Sequence, residues 1–237
     1  AYDYREKAPA KASRDMYLDK RGRPTRGSLV GARAAGIPGT VAGLALAHAQ
    51  LGSRAWSDLV LPAVKLARDG HRLDSFHADD LATGAKAMRA DKLASSAAYF
   101  HKADGSAYRT GDTWRQPELG ETLAAIAQRG ASAFYRGDVA KRLVAGVAAA
   151  GGIWQLEDLA RYRAVKRTPT TFDYRGHLIV TMPPPSAGGL VLRQLLRARE
   201  LANVRHGWQS AADAHWFVET ARRAYADRNA LIADPDV

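Results

Sequence analysis

The segment GHRLDSFHADD, residues 70 to 80, gathers His71, Asp74, His77, Asp79 and Asp80. Imidazole and carboxylate groups of these types bind divalent metals. Their spacing opposes that use. His71 and His77 lie six apart, so on one helix they point to different faces. Ser75 reads better as a helix cap, with Asp79 and Asp80 near the positive end of that helix. Further along, His215 and Glu219 share a helical face at four-residue spacing, which without a third ligand reads as a solvated or core-edge contact. No metal is assigned.

Nucleophilic chemistry is no better served. There is no G-x-S-x-G elbow around Ser186 in PPPSAGG, residues 183 to 189, and that phrase reads as a strand end, stiffened by prolines, entering a helix capped by Ser186. IPGTVAGL, residues 37 to 44, lacks the lysine of a phosphate loop. Arg5 in AYDYREKAP is of another kind. On an extended segment it shares a face with Asp3, and its planar fork can grip a carboxylate through two parallel hydrogen bonds. From its neighbours alone, an ion pair with Asp3 or Glu6 is the favoured reading.

The elements that must position these groups are mostly helical. GTVAGLALAHAQL, residues 39 to 51, follows Pro38 and stops at Gly52; residues 57 to 70 form a second helix with Ser57 as cap and Gly70 as stop. Further helices are expected over 75–91, 119–129, 139–150, 187–201 and 210–228. Strand signals are few. Residues 170–176 and 177–185 predict a hairpin turning at Arg175 and Gly176, and Tyr2 to Lys7 predicts an extended edge. The LIV run of the hairpin has strand character on both faces and favours burial in a sheet with further strands. So little sheet for so many amphipathic helices points to an all-helical protein or to part of a larger body.

Composition narrows the classes. The chain has 237 residues, a formal charge of +11 and no cysteine, which excludes disulfides and thiolate chemistry and leaves the compartment open. No run of apolar residues is long enough to span a bilayer. The basic residues are scattered rather than clustered, and no nucleic-acid-binding motif accompanies them. They form a basic solvated face, or complement an acidic polypeptide elsewhere.

The phrases DYREKAP, AKASRDMYLD, GIPGTVAGL, GGIWQLEDLARY, PPPSAGG and HWFVETARRAYADRNALIADP, in this order and spanning essentially the whole chain, resemble the large-subunit region of the gamma-glutamyltransferases. The resemblance implies an α+β fold, the αββα sandwich of the N-terminal-nucleophile hydrolases, here incomplete and mostly helical. It implies one domain over residues 1–237, an internal part of a large subunit released by self-cleavage of a precursor. The activity implied is cleavage of gamma-glutamyl amides such as glutathione and transfer of the glutamyl group to water or an amino-acid acceptor. A cephalosporin or glutaryl-amide acylase of the same fold, or a noncatalytic remnant, is the alternative.

By the same resemblance, Arg5 matches the arginine that grips the α-carboxylate of the glutamyl group and becomes the favoured substrate-binding residue. The nucleophile is the N-terminal threonine of a separate small subunit, so no catalytic residue is expected in this chain. No cofactor, nucleic acid or membrane span is implied, and the location is periplasmic or secreted. Ala187 stands where many relatives have a second serine, a change that bears on helix entry more than on chemistry.

Overall fold

A computed structural model describes residues 1–91, 93–202, 207 and 210–235. In chain order the elements are β1 (Tyr2–Asp3), α1 (Thr40–Leu51), α2 (Trp56–Asp69), β2 (His71–Arg72), α3 (Ser75–Ala90), α4 (Ala94–Tyr99), β3 (Thr113–Trp114), α5 (Pro117–Arg129), α6 (Ser132–Tyr135), α7 (Asp138–Ala149) and α8 (Leu156–Arg161). Then follow β4 (Val165–Lys166), β5 (Thr170–Tyr174), β6 (His177–Thr181), α9 (Gly188–Leu201) and α10 (Ala211–Leu231). They fall into two compact units, one of residues 4–164 and one of residues 1–3 with 165–237.

In the unit of residues 4–164, α2 packs along α5, and α5, α6, α7 and α8 follow one another as neighbours. Helix α2 turns Val64 and Ala67 inward, and α5 answers with Ile126, Ala127 and Gly120. Gly120 lies so close to Arg68 that a Cβ there would meet the arginine Cγ at 2.6 Å. Pro117 starts α5 with a fixed φ and no lost hydrogen bond, and Gly130, at φ 69°, ends it. A second cluster of buried side chains joins Ile37, Tyr135, Ala140, Leu159 and Tyr162. It draws the residues just before α1 together with α6, α7 and α8.

The other unit is built on a two-stranded antiparallel pair, β1 with β4, and the β5–β6 hairpin, whose register runs from Thr170 opposite Thr181 to Tyr174 opposite His177. Arg175 and Gly176 both have positive φ, 49° and 81°, the mirror-image turn that matches strand twist. Helix α9 covers β5 and packs on α10. The LIV run is covered on one side: Ile179 is half-buried, whereas Leu178 is 65 % and Val180 60 % exposed in this chain. No helix among the described residues is long and apolar enough to cross a membrane.

Several starts differ from the sequence reading. The N-terminal strand stops at Asp3 rather than reaching Lys7, because the chain leaves its ladder with β4 and the Arg5 carbonyl is taken by a tyrosine hydroxyl. Asp74, not Ser75, caps α3, since its carboxylate accepts the His77 amide. Helix α2 begins at Trp56, one residue before Ser57, with no side-chain cap. Ser186 does not cap α9. That helix begins at Gly188 with Ala187 at the cap position, and Gly189 lies against the end of β6, where a Cβ would meet the Met182 carbonyl at 2.6 Å.

Candidate functional site

The phrase GGIWQLEDLARY explains how the N-terminal segment is held. Gln155 and Asp158 form a capping box that starts α8, with Asp158 Oδ2 accepting the Gln155 amide at 2.9 Å. Leu159 is wholly buried and fixes the inward face of this short helix. Three side chains at four-residue spacing then reach backbone groups far away in sequence. The Trp154 indole donates to the Ala35 carbonyl at 2.9 Å, Asp158 Oδ1 accepts the Ala10 amide at 2.9 Å, and the Tyr162 hydroxyl donates to the Arg5 carbonyl at 2.7 Å.

Tyr162 is itself placed by Tyr135. Their rings stack with centroids 5.7 Å apart and planes 9° from parallel. The Tyr135 hydroxyl donates to the Pro38 carbonyl at 2.8 Å and accepts the Ala42 amide at 3.2 Å. Burial pushes the Tyr135 phenol above its usual value, opposed by the Ala42 amide, so the ring stays neutral and keeps both bonds.

The first turn of α1 is small where it meets this segment. A Cβ on Gly39 would overlap both the Tyr162 hydroxyl and the Tyr4 carbonyl, and one on Gly43 would overlap the Tyr4 ring. Beyond Arg5, Lys7 and Ile37 exchange backbone hydrogen bonds at 3.2 and 2.7 Å. The backbone of Tyr4 and Arg5 is therefore fixed on several sides, while the Arg5 residue is exposed. Such an arrangement fixes the main chain from which an exposed arginine side chain projects.

The other residues singled out by sequence go to structural tasks. His71 lies in β2, its ring edge to face with Trp114. Asp74 accepts the His77 amide and faces His77 Nδ1, each at 2.8 Å, and these bonds hold its carboxyl below the ordinary value. Asp79 and Asp80 are exposed along α3. Glu219 engages Arg222 at 2.9 Å and Arg223 at 3.6 Å, and the Arg222 guanidinium is the main cause of its carboxyl titrating below the ordinary value. No group of three or more metal-binding side chains occurs among the described residues. The Ser186 amide donates to the Pro183 carbonyl at 3.1 Å within the turn before α9.

Sequence reasoning named Arg5 and did not name Trp154, Asp158, Tyr135 and Tyr162, which hold its segment. The signal available was the four-residue spacing of Trp154, Asp158 and Tyr162 around the buried Leu159. Nothing in the sequence says that their partners are main-chain groups some 120 to 160 positions away.

Over residues 1–237 the chain matches the family model described as gamma-glutamyltranspeptidase. It is 41 % identical over 238 residues to the glutathione hydrolase proenzyme of Escherichia coli K12, covering 100 % of this chain and 41 % of that protein. Among solved structures it is similar to the gamma-glutamyltranspeptidase of Helicobacter pylori, at 38 % identity and a TM-score of 0.94, covering 99 % of this chain and 67 % of that one. It is also similar to the gamma-glutamyltranspeptidase of Pseudomonas nitroreducens complexed with L-DON, at 36 % identity and a TM-score of 0.88, covering 99 % and 69 % of the two chains. The chain thus spans about two fifths of the length of the curated relatives it matches.

Proposed function

The chain belongs to the gamma-glutamyltranspeptidase family, and on that premise we propose that it is the large-subunit portion of an enzyme that transfers gamma-glutamyl groups from amides to water or an amino-acid acceptor. Its α+β fold is that of the N-terminal-nucleophile hydrolases, mostly helical over the described residues. Glutathione, named in the E. coli relative, is the model donor. The attacking hydroxyl comes from the N-terminal threonine of a small subunit released from a common precursor, and the two chains form a heterodimer in the periplasm or outside the cell.

In this reading Arg5 binds the donor and the partner does the chemistry. The guanidinium takes the α-carboxylate of the glutamyl group in a two-point grip, fixing the γ-carbonyl against the threonine hydroxyl. That hydroxyl, activated by its own amino group, forms a glutamyl ester and releases the peptide part of the donor. Water or an acceptor amine then cleaves the ester. The exposed apolar side chains Leu178 and Val180 on β6 support a second polypeptide, since a strand with such a face wants further cover.

The observation that carries the assignment of Arg5 is the Tyr162 hydroxyl on its carbonyl at 2.7 Å, which fixes the main chain of an exposed arginine. Steady-state kinetics of the mature two-chain enzyme test it. Arg5→Ala is expected to raise the Michaelis constant for glutathione about 10- to 100-fold, the loss of a charge-assisted pair, and Arg5→Lys to restore little, because an ammonium lacks the fork. Unchanged constants in Arg5→Ala would remove Arg5 from the site. An acylase acting on glutaryl amides is the competing activity, and it predicts equal turnover of donors with and without the glutamyl amino group.

A further inference from the structure

Helices α1, α6 and α8 and their ends line a cavity of about 280 Å³, which shares Tyr135 and Tyr162 with the contacts that hold the Arg5 main chain. Its wall is largely apolar, from Ala42, Ala45, Leu46 and the Tyr135 ring, and its lining also includes two arginines, Arg136 and Arg163. Both guanidiniums converge on one oxygen. Arg136 Nη2 donates to the Ala160 carbonyl at 3.0 Å, and Arg163 Nη1 donates to the same carbonyl at 2.9 Å and to that of Tyr162 at 2.7 Å.

Two cations sharing one acceptor lie within about 6 Å of each other. The carbonyls they meet lie at the end of α8 and, being neutral acceptors, leave both guanidiniums their full charge. Neither arginine pairs with a carboxylate among the described residues. Each guanidinium has five N–H donors, and the carbonyl bonds engage only one nitrogen of each. Both residues are exposed, and two guanidiniums held side by side at the rim of an apolar wall present their remaining donors together to an anion.

We propose that this cavity binds a small organic carboxylate with an apolar body. The carboxylate lies between Arg136 and Arg163, and the hydrocarbon part lies against Ala42, Ala45 and Leu46. Inorganic phosphate fits less well, because the alanine and leucine wall offers its remaining oxygens no donors. A neutral analogue lacks the charge that the arginines call for. The proposal stands apart from the role given to Arg5.

Equilibrium dialysis of phenylacetate against the mature two-chain enzyme tests it, with 2-phenylethanol and inorganic phosphate as comparison probes. The expected result is one saturable site for phenylacetate, at least about tenfold weaker binding of both other probes, and no change in Arg5→Ala. The Arg136→Gln/Arg163→Gln double variant is expected to weaken phenylacetate binding about tenfold or more. Should that variant fail to fold, Ala45→Leu, which fills the cavity from α1 and keeps both arginines, is expected to abolish binding. Absence of saturable binding overturns the proposal. So does binding lost in Arg5→Ala but retained in the double variant, which would place the carboxylate at Arg5, and so does undiminished binding in Ala45→Leu.

Discussion

The Tyr162 hydroxyl donates to the Arg5 carbonyl at 2.7 Å, a bond between residues 157 positions apart. It links the end of a short helix to the main chain of the one residue that the proposed reaction needs from this chain. The stacked Tyr135 ring and the glycines of the first turn of α1 hold the same segment from other sides. The main chain at Arg5 is thus positioned by contacts from distant parts of the sequence.

Tyr162→Phe keeps the stacked ring and removes only the hydroxyl. It is expected to destabilise the protein by about 1–2 kcal/mol, since the Arg5 carbonyl loses a partner, and to raise the glutathione Michaelis constant more than it lowers kcat. Denaturant melts beside steady-state kinetics give both numbers. A stability loss with unaltered Michaelis constant would show that Tyr162 serves the fold and not the placement of Arg5.

Gly39→Ala puts a methyl group into the Tyr162 hydroxyl and the Tyr4 carbonyl. Overpacking of this kind costs about 1–3 kcal/mol. Combining it with Tyr162→Phe is expected to recover only part of that loss, because the Tyr4 carbonyl still obstructs the methyl. Full recovery in the double variant, measured by thermal melts, would mean that the hydroxyl alone is the obstacle.

Asp3 Oδ2 and Arg167 Nε pair at 2.6 Å, with side chains only 9 % and 15 % exposed, joining β1 to the residue that follows β4. Breaking a buried pair by removing one partner costs about 3–5 kcal/mol. Asp3→Ala is therefore expected to unfold the unit of residues 1–3 and 165–237 at markedly lower denaturant concentration. A midpoint within error of the parent protein would refute the assignment of this pair as a structural clasp.

Asp74 titrates below the ordinary value of 3.8, first because of the His77 amide and then because of the His77 ring. A carboxyl depressed in the folded state contributes its stability in full above the unfolded value, and that contribution is lost as pH falls through the folded value. The first turn of α3 should accordingly loosen as acidity increases below about pH 4. Asp74→Asn preserves a cap and should flatten that dependence, read from hydrogen exchange of the amides at residues 75 to 78. An unchanged slope in the variant would locate the sensitivity elsewhere.

The sequence by itself settled what short-range chemistry can settle. Gly52 and Gly70 stop α1 and α2, and the Arg175–Gly176 turn sets the hairpin register, because each of these is decided by φ preferences and hydrogen bonds within a few residues. The motif phrases also carried the family and singled out Arg5. The helix caps were less legible. Asp74 and Ser75 are adjacent good cappers, while α9 starts after Ala187, a poor capper, rather than after Ser186, and only the packed backbone selects between neighbours. What tertiary structure alone decided is the holding of Arg5 by Tyr162, Tyr135 and Gly39, and the meeting of Arg136 and Arg163 on one carbonyl. Those partners are main-chain atoms with no residue-type signature, and they come together only when the buried cluster around Leu159 closes across most of the chain.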